Sequence, residues 1–355
     1  MGLLTLDADR LDLLRELGWK PVLTQMISAY ESLVPCRVVE VHRSGLIVAP
    51  AVNEHREVML GGRWFNVPAQ DRPTVGDWIL VDPDTQSIEV LLERSSLIKR
   101  LAPGGDVQPI AANIDTAFLV TSCNSDFSLE RLERYLAAVR QQDIQAVVVC
   151  TKSDLADEPE HYREQARSLD SDVVVEVVNA LDPESVSVLA GWCAPGQSIA
   201  LLGSSGVGKS TLVNALYGRQ VQATQASRSG DDKGRHTTTH RSLHKLPQGG
   251  VILDSPGMRE FQITDSDSGV QHVFADIEDL ALDCKFRDCG HQSEPGCSVR
   301  GAMERGELDP RRLDSYFKLL REDKYNSESI AERHARLRSF GKAVKDHIGQ
   351  KPKHR

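Results

Sequence analysis

The chain has 355 residues, 40% of them hydrophobic and 26% charged, with a formal net charge of −9 at pH 7. This length exceeds a comfortable single core and calls for about two or three domains; the composition excludes a disordered chain, and the acidic balance excludes a uniformly basic nucleic-acid binder. No apolar run approaches a membrane span, and Met1 to Leu14 carries Asp7, Asp9 and Asp12 where a signal peptide needs a basic segment and an apolar core, so a cytoplasmic protein without a membrane partner is expected.

Residues 1–34 read as an N-terminal helical extension, with helical apolar spacing at Leu11, Leu13, Leu14, Leu17 and Trp19 and a break or restart at Pro21. Across 35–102, the stretches Arg37 to Val41, Gly45 to Val48, Glu57 to Phe65, Asp77 to Val81 and Ser87 to Leu92 are short and rich in Val and Ile. Gly, Pro, Asn or Asp separates them. This texture predicts a β-barrel of OB type, an SH3-like barrel fitting nearly as well, and neither fold alone supplies an RNA ligand.

After Pro103-Gly104-Gly105 the rhythm changes to alternating strand and helix as far as residue 265. Thr116 to Thr121 and Ala146 to Cys150 are continuous apolar runs, as in strands covered on both faces, and Leu129 to Val139 is the helix between them. Val173 to Val178, Ser198 to Leu202 and Val251 to Leu253 continue the series. The expected domain is therefore a parallel α/β sheet whose carboxyl edge handles phosphate. Residues 266–355 hold a cysteine cluster and helical segments at Pro310 to Arg321 and Ile330 to Phe340. Ala331 to Arg355 has eight Lys/Arg against two acids, a local +6 that can screen phosphate or simply solvate a terminal helix.

The segment Gly203-Ser204-Ser205-Gly206-Val207-Gly208-Lys209-Ser210-Thr211 satisfies the P-loop pattern between a strand and a helix spanning Lys209 to Tyr217. In that setting backbone N–H groups and a helix N-terminus cradle anionic oxygens; Lys209 reaches the β- and γ-phosphates and Ser210 holds Mg²⁺ through its hydroxyl. Thr151-Lys152-Ser153-Asp154 ends the second strand. There the Asp154 carboxylate can accept N1–H and N2–H of guanine, a donor pair that adenine lacks, while Lys152 packs along the base.

Asn179-Ala180, after the Val173 to Val178 strand, is a further candidate base contact. Asp254-Ser255-Pro256-Gly257 ends another strand, offering Asp254 to Mg²⁺ and the Gly257 N–H to the γ-phosphate. Arg228 to His240, polar and glycine-bearing, suits a switch in which one threonine, Thr238 being favoured, binds the metal. The ligands implied are GTP or GDP with Mg²⁺. An ordinary GTPase runs P-loop, D-x-x-G and then N/T-K-x-D; here the base-reading element comes first, so the order is circularly permuted.

Cys284-x4-Cys289-x-His291-x5-Cys297 places three thiolates and an imidazole within one short segment, with Gly290, Pro295 and Gly296 allowing tight turns. The set suits one structural Zn²⁺ and leaves no open position for hydrolytic zinc chemistry, the alternatives being reduced thiols or a redox disulfide. Cys36, Cys123, Cys150 and Cys193 are expected as core thiols.

Together these residues resemble the circularly permuted GTPases of the RsgA type, also called YjeQ or YloQ. T-K-S-D, G-S-S-G-V-G-K-S-T-L, G-R-H-T-T-T and D-S-P-G-M-R-E-F stand in that family's order, and the likeness runs from roughly Pro35 to Gly341. The resemblance implies a GTPase that binds the 30S ribosomal subunit and its 16S rRNA late in maturation, with subunit-stimulated turnover; a monomer is expected. It also implies a catalytic role for His236, since Met258 stands where many GTPases carry a water-orienting Gln. The first 35 residues differ from the basic N-terminal arm of some members, so RNA binding is not carried over to them. Other readings are a P-loop kinase or ATPase acting on a small molecule, and a non-catalytic RNA-binding module that senses guanine nucleotide. The segment after Gly257 leads into the cysteine cluster, which suggests that GTP sets the posture of the C-terminal helices.

Overall fold

The computed structural model describes residues 8–42, 44–101, 107–219, 242–254 and 266–327. The Arg228 to His240 switch with His236 and Thr238, the Gly257 and Met258 positions, and the basic Ala331 to Arg355 segment lie outside the described residues, and for Asp254 only the backbone is described.

Two short helices open the chain, α1 (Ala8–Arg15) and α2 (Pro21–Met26), and Pro21 begins the second, where its missing N–H costs nothing. Leu14, Leu17, Trp19 and Leu23 are buried, whereas Leu13, expected on the same face, is 45% exposed. Strands β1 (Val34–Val41), β2 (Gly45–Ala51), β3 (Glu54–Met59), β4 (Trp78–Val81) and β5 (Ile88–Leu91) pair antiparallel in the order β3-β2-β1-β4-β5. The single strand expected over Glu57 to Phe65 ends at Met59; after Gly61 the chain turns into a short helix, α3 (Gly62–Phe65). Among the described residues no pairing joins β3 to β5, so the strands form a curved sheet and no closed OB barrel is seen. A hairpin, β6 (Leu97–Leu101) with β7 (Val107–Ala112), then leads into the next unit.

That unit contains β8 (Thr116–Ser122), α4 (Leu129–Arg140), β9 (Gln145–Thr151), α5 (Pro159–Arg167), β10 (Val174–Val177), α6 (Pro183–Val186), β11 (Ser198–Leu202), α7 (Lys209–Tyr217), β12 (Ser242–Lys245) and β13 (Val251–Asp254). The strand order is β10-β9-β8-β11-β13-β12, parallel except for β12. Alternating side chains supply two cores, as the two-residue period of a strand requires. Phe118, Val120, Val147, Val149, Ile199 and Leu201 face one side with Leu212 and Leu216 of α7. Ala117, Leu119, Val148, Cys150, Ala200 and Leu202 face the other with Leu132 and Leu136 of α4. The chain runs outward through β8, β9 and β10 and then returns to lay β11 on the far side of β8. This reversal opens a crevice at the carboxyl ends of β8 and β11.

The C-terminal helices α8 (Asp267–Val273), α9 (Ala275–Leu282), α10 (Ser298–Glu304) and α11 (Pro310–Ser327) share the core of the α4 side through Phe274, Val299, Leu313 and Leu319. At the other end the N-terminal sheet is continuous with the central one, because Glu40 of β1 pairs with Ser242 of β12. Arg37 reinforces that joint. It is fully buried, donates to the carbonyls of Leu17, Gly76 (3.3 Å) and Asn113 (3.1 Å), and lies 5.3 Å over the Trp78 ring. Burial pushes its pKa down to about 10 against the opposing pull of Asp115 and Asp77, which still leaves the guanidinium charged at neutral pH. The edge-to-face pair of Trp19 and Trp78, with centroids 4.7 Å apart, and Lys20 Nζ on the Gly196 carbonyl at 2.8 Å complete a strap from the extension to both sheets. The N-terminal helices thus have a structural task.

Candidate functional site

The P-loop leaves β11, all five of whose residues are buried, and runs into α7 at Lys209. Gly203 has φ +154° and lies so close to the Val120 carbonyl that a Cβ would overlap it, which accounts for glycine at the first motif position. Ser210 and Thr211 stand in the first turn of α7, where backbone N–H groups have no helical partner and the helix dipole favours an anion. The Lys209 ammonium curls back over the loop, with Nζ 2.7 Å from the Gly203 carbonyl and 2.5 Å from that of Ser204.

The base-reading segment meets this loop directly. Thr151, fully buried at the end of β9, places Oγ1 3.0 Å from the Thr121 carbonyl and 2.5 Å from the Val207 carbonyl. A hydroxyl has one proton and so donates to one of the two at a time, but either bond fixes the β9 terminus beside the P-loop. Lys152 then takes the left-handed conformation, φ +58°, and Ser153–Leu155 form a single tight turn that carries Asp154. The Ser153 N–H donates to the Val178 carbonyl at 3.3 Å, which sets Asn179-Ala180 alongside. The Asn179 Oδ1 accepts from the Leu181 N–H at 2.9 Å, shaping its own turn, and Ala180 is buried in the same core as Val207. On the other flank, Ala200 of β11 pairs with Leu253 of β13, so the Asp254 backbone ends one strand away from the P-loop strand. His236, Thr238 and Gly257 lie outside the described residues.

One contact of the loop has no sequence signal. Tyr135 of α4, buried in the sheet-facing core, hydrogen-bonds through its phenol to the Ser204 hydroxyl, and burial pushes its pKa up despite that bond. An aromatic on the apolar face of an amphipathic helix reads as core, and only the folded chain shows the polar end reaching the loop.

The four ligand-type side chains of the C-terminal segment converge. The Sγ atoms of Cys284 and Cys297 are 3.9 Å apart, and His291 Nδ1 lies 3.6 Å from the first and 3.5 Å from the second. With Cys289 all four ligand atoms lie within 4.8 Å of one another. A tetrahedral ion with bonds of about 2.3 Å to sulfur separates its sulfurs by about 3.8 Å, so the spacing fits. Burial alone would raise the Cys284 thiol. The Ser298 and Val299 amides at the start of α10, with the Cys289 and Cys297 thiols, hold it below its usual value, which favours the thiolate. The other four cysteines are buried, and burial pushes the Cys36 and Cys193 thiols up to about 12, as inert core residues require.

A doubly wound sheet with the phosphate loop at its reversal, and the base-reading segment of β9 ahead of that loop in the chain, defines a circularly permuted P-loop GTPase fold. A family model described as RsgA GTPase matches residues 91–264. "Small ribosomal subunit biogenesis GTPase RsgA 2" of Vibrio parahaemolyticus is 48% identical over 344 residues, covering 96% of this chain and 94% of its own length. The RsgA protein of Mesorhizobium japonicum is 43% identical, covering 88% and 91%. The crystal structure of YjeQ from Thermotoga maritima superposes with a TM-score of 0.59 at 26% identity, over 81% of this chain and 99% of that one. The chain belongs to the RsgA GTPase family.

Proposed function

We propose that this chain hydrolyses GTP to GDP and phosphate in the cytoplasm and acts as a monomer in late maturation of the small ribosomal subunit, contacting 16S rRNA of the 30S particle. The curated relatives carry that subunit in their names. On the chain itself, the observation that carries the reading is the Thr151 hydroxyl at the Val207 carbonyl, which makes one site of two motifs separated by more than fifty residues. Asp154 then reads guanine, with Lys152, Ser153, Asn179 and Ala180 around the base. Gly203 to Thr211 hold the phosphates. Ser210, Thr238 and Asp254 are the oxygen donors for Mg²⁺, which when bound would neutralise charge on the β- and γ-oxygens.

Within this reading His236 orients the attacking water and accepts its proton, since the Met258 side chain has no group able to do so. The Cys284, Cys289, His291 and Cys297 cluster holds structural zinc. The sheet-rich N-terminal region serves as an OB-type module that contributes to docking on the subunit.

Two measurements test the reading. Asp154→Asn should weaken GDP binding by about 10²-fold, because two N–H donors of guanine lose a charged acceptor, and should improve binding of the xanthine nucleotide. Equal displacement of bound GDP by ADP and by GDP in the parent chain would refute guanine selectivity. GTP turnover followed with purified small or large subunits should rise with the small subunit alone. A rate unmoved by small subunits would leave only a nucleotide-sensing module.

A further inference from the structure

Helix α4 has two partners on two faces. Glu130, Glu133, Arg134, Ala137 and Gln141 follow the i, i+3, i+4, i+7, i+11 spacing of a single helical face, and that face is fastened to the C-terminal helices. Lys318 Nζ lies 2.7 Å from Glu130, Arg134 is 2.8 Å from Glu322, and Gln141 Oε1 accepts from Ser268 Oγ at 2.7 Å and from the Gly269 N–H at 2.9 Å. Gly269 sits so tightly on the Ala137 carbonyl that any Cβ would overlap it.

At the centre Glu133, fully buried, accepts from Arg311 and Arg312 at 3.2 Å and from Ser315 Oγ at 2.5 Å. Arg312 also grips Asp276 at 2.6 Å and the Val273 carbonyl at 2.7 Å while lying 4.8 Å over the Phe274 ring. None of these bonds runs through residues 255–265, so the posture of the C-terminal helices has a route to the nucleotide domain besides the segment after Gly257.

The other face of α4 presents Tyr135 to Ser204 of the P-loop. Ser204 is also the residue whose carbonyl accepts from the Lys209 ammonium. Lys209 has two alternative sets of acceptors, the loop carbonyls and the phosphate oxygens, and so supplies the two-state element that coupling needs. Fixing Ser204 biases the choice between them.

We propose that Tyr135 is a positioning residue of the P-loop, and that α4 couples the stance of the zinc-cluster module to the loop that holds Lys209. The inference rests on the reading that this loop binds guanine nucleotide. It names a mechanical path by which a partner gripping the C-terminal module changes phosphate handling. Linkage makes the effect reciprocal, so bound GDP must alter the docking of α8 and α11 on α4.

The test uses the full chain and a fluorescent GDP analogue. Tyr135→Phe, which removes one hydroxyl and keeps the ring, should speed analogue release by about 2–10-fold with an unchanged melting temperature. A parent-like release rate overturns the positioning role. In the cycle of Tyr135→Phe with Glu133→Gln, the two effects on release should be non-additive by about threefold or more, whereas residues that do not communicate act independently. Additive effects overturn the coupling. Should Glu133→Gln fail to fold, Arg134→Met, which breaks only the Glu322 contact, takes its place under the same criterion. A non-additive cycle in a chain whose turnover ignores small subunits would sink the ribosomal reading and leave this inference standing.

Discussion

Lys209→Ala should turn over GTP about 10²–10³-fold more slowly than the parent chain, with its melting temperature nearly unchanged. The ammonium stands at the N-terminus of α7 and is held by the carbonyls of Gly203 and Ser204, poised over the loop that cradles phosphate. Charge that builds on the transferring phosphoryl group draws it from neutral carbonyls to anionic oxygens, so its contribution is greatest in the transition state. Alanine removes that charge. It disturbs the fold little, because Lys209 is only partly buried and water can reach the loop carbonyls it leaves. Single-turnover phosphate release at saturating GTP, paired with a binding measurement, separates the loss of rate from any loss of affinity. Parent-like release would remove Lys209 from the catalytic account.

Stripping the metal should unfold the cysteine segment while sparing the nucleotide site. Structural zinc contributes about 10–16 kcal/mol of apparent binding energy in small zinc modules, far more than the few apolar contacts of a fourteen-residue loop replace. Cys297 lies in the core shared with Val299 and Leu308 and caps α10 by accepting from the Arg300 N–H at 3.5 Å, so losing the ion also loosens the start of that helix. The P-loop packs through Val207 and Leu212 into the core on the opposite side of the sheet. Elemental analysis should therefore find about one zinc per chain. Chelation should open protease sites between residues 284 and 297, and GDP affinity should fall by less than about tenfold. Cys289→Ala protein with full zinc content would refute the ligand set.

Where local chemistry decides structure, the sequence is legible. Ser198 to Leu202 as a strand and Lys209 to Tyr217 as a helix have the same limits in the fold, because an apolar run, a glycine loop and a capped turn are set by contiguous residues. The ligand spacing from Cys284 to Cys297 is equally local. Glu57 to Phe65 misleads because its alternation continues through Gly61-Gly62, where the chain bends into α3. Leu13 misleads because a helix as short as α1 buries only what the neighbouring sheet covers. Nothing in Arg37, Glu133 or Tyr135 marks them among the other charged and aromatic residues.

The amino-acid order alone determined the chemistry: a phosphate loop, a guanine-type carboxylate ahead of it, and a Cys3His set, each carried by a few adjacent residues whose backbone geometry and ligand preferences travel with them. Only the folded chain decided which of these meet. Thr151 reaches Val207, Arg37 joins three segments, and Glu133 receives Arg311 from 178 residues away. Such contacts depend on the strand order and on which polar groups become buried together, and both are properties of the packed sheet that no stretch of sequence encodes locally.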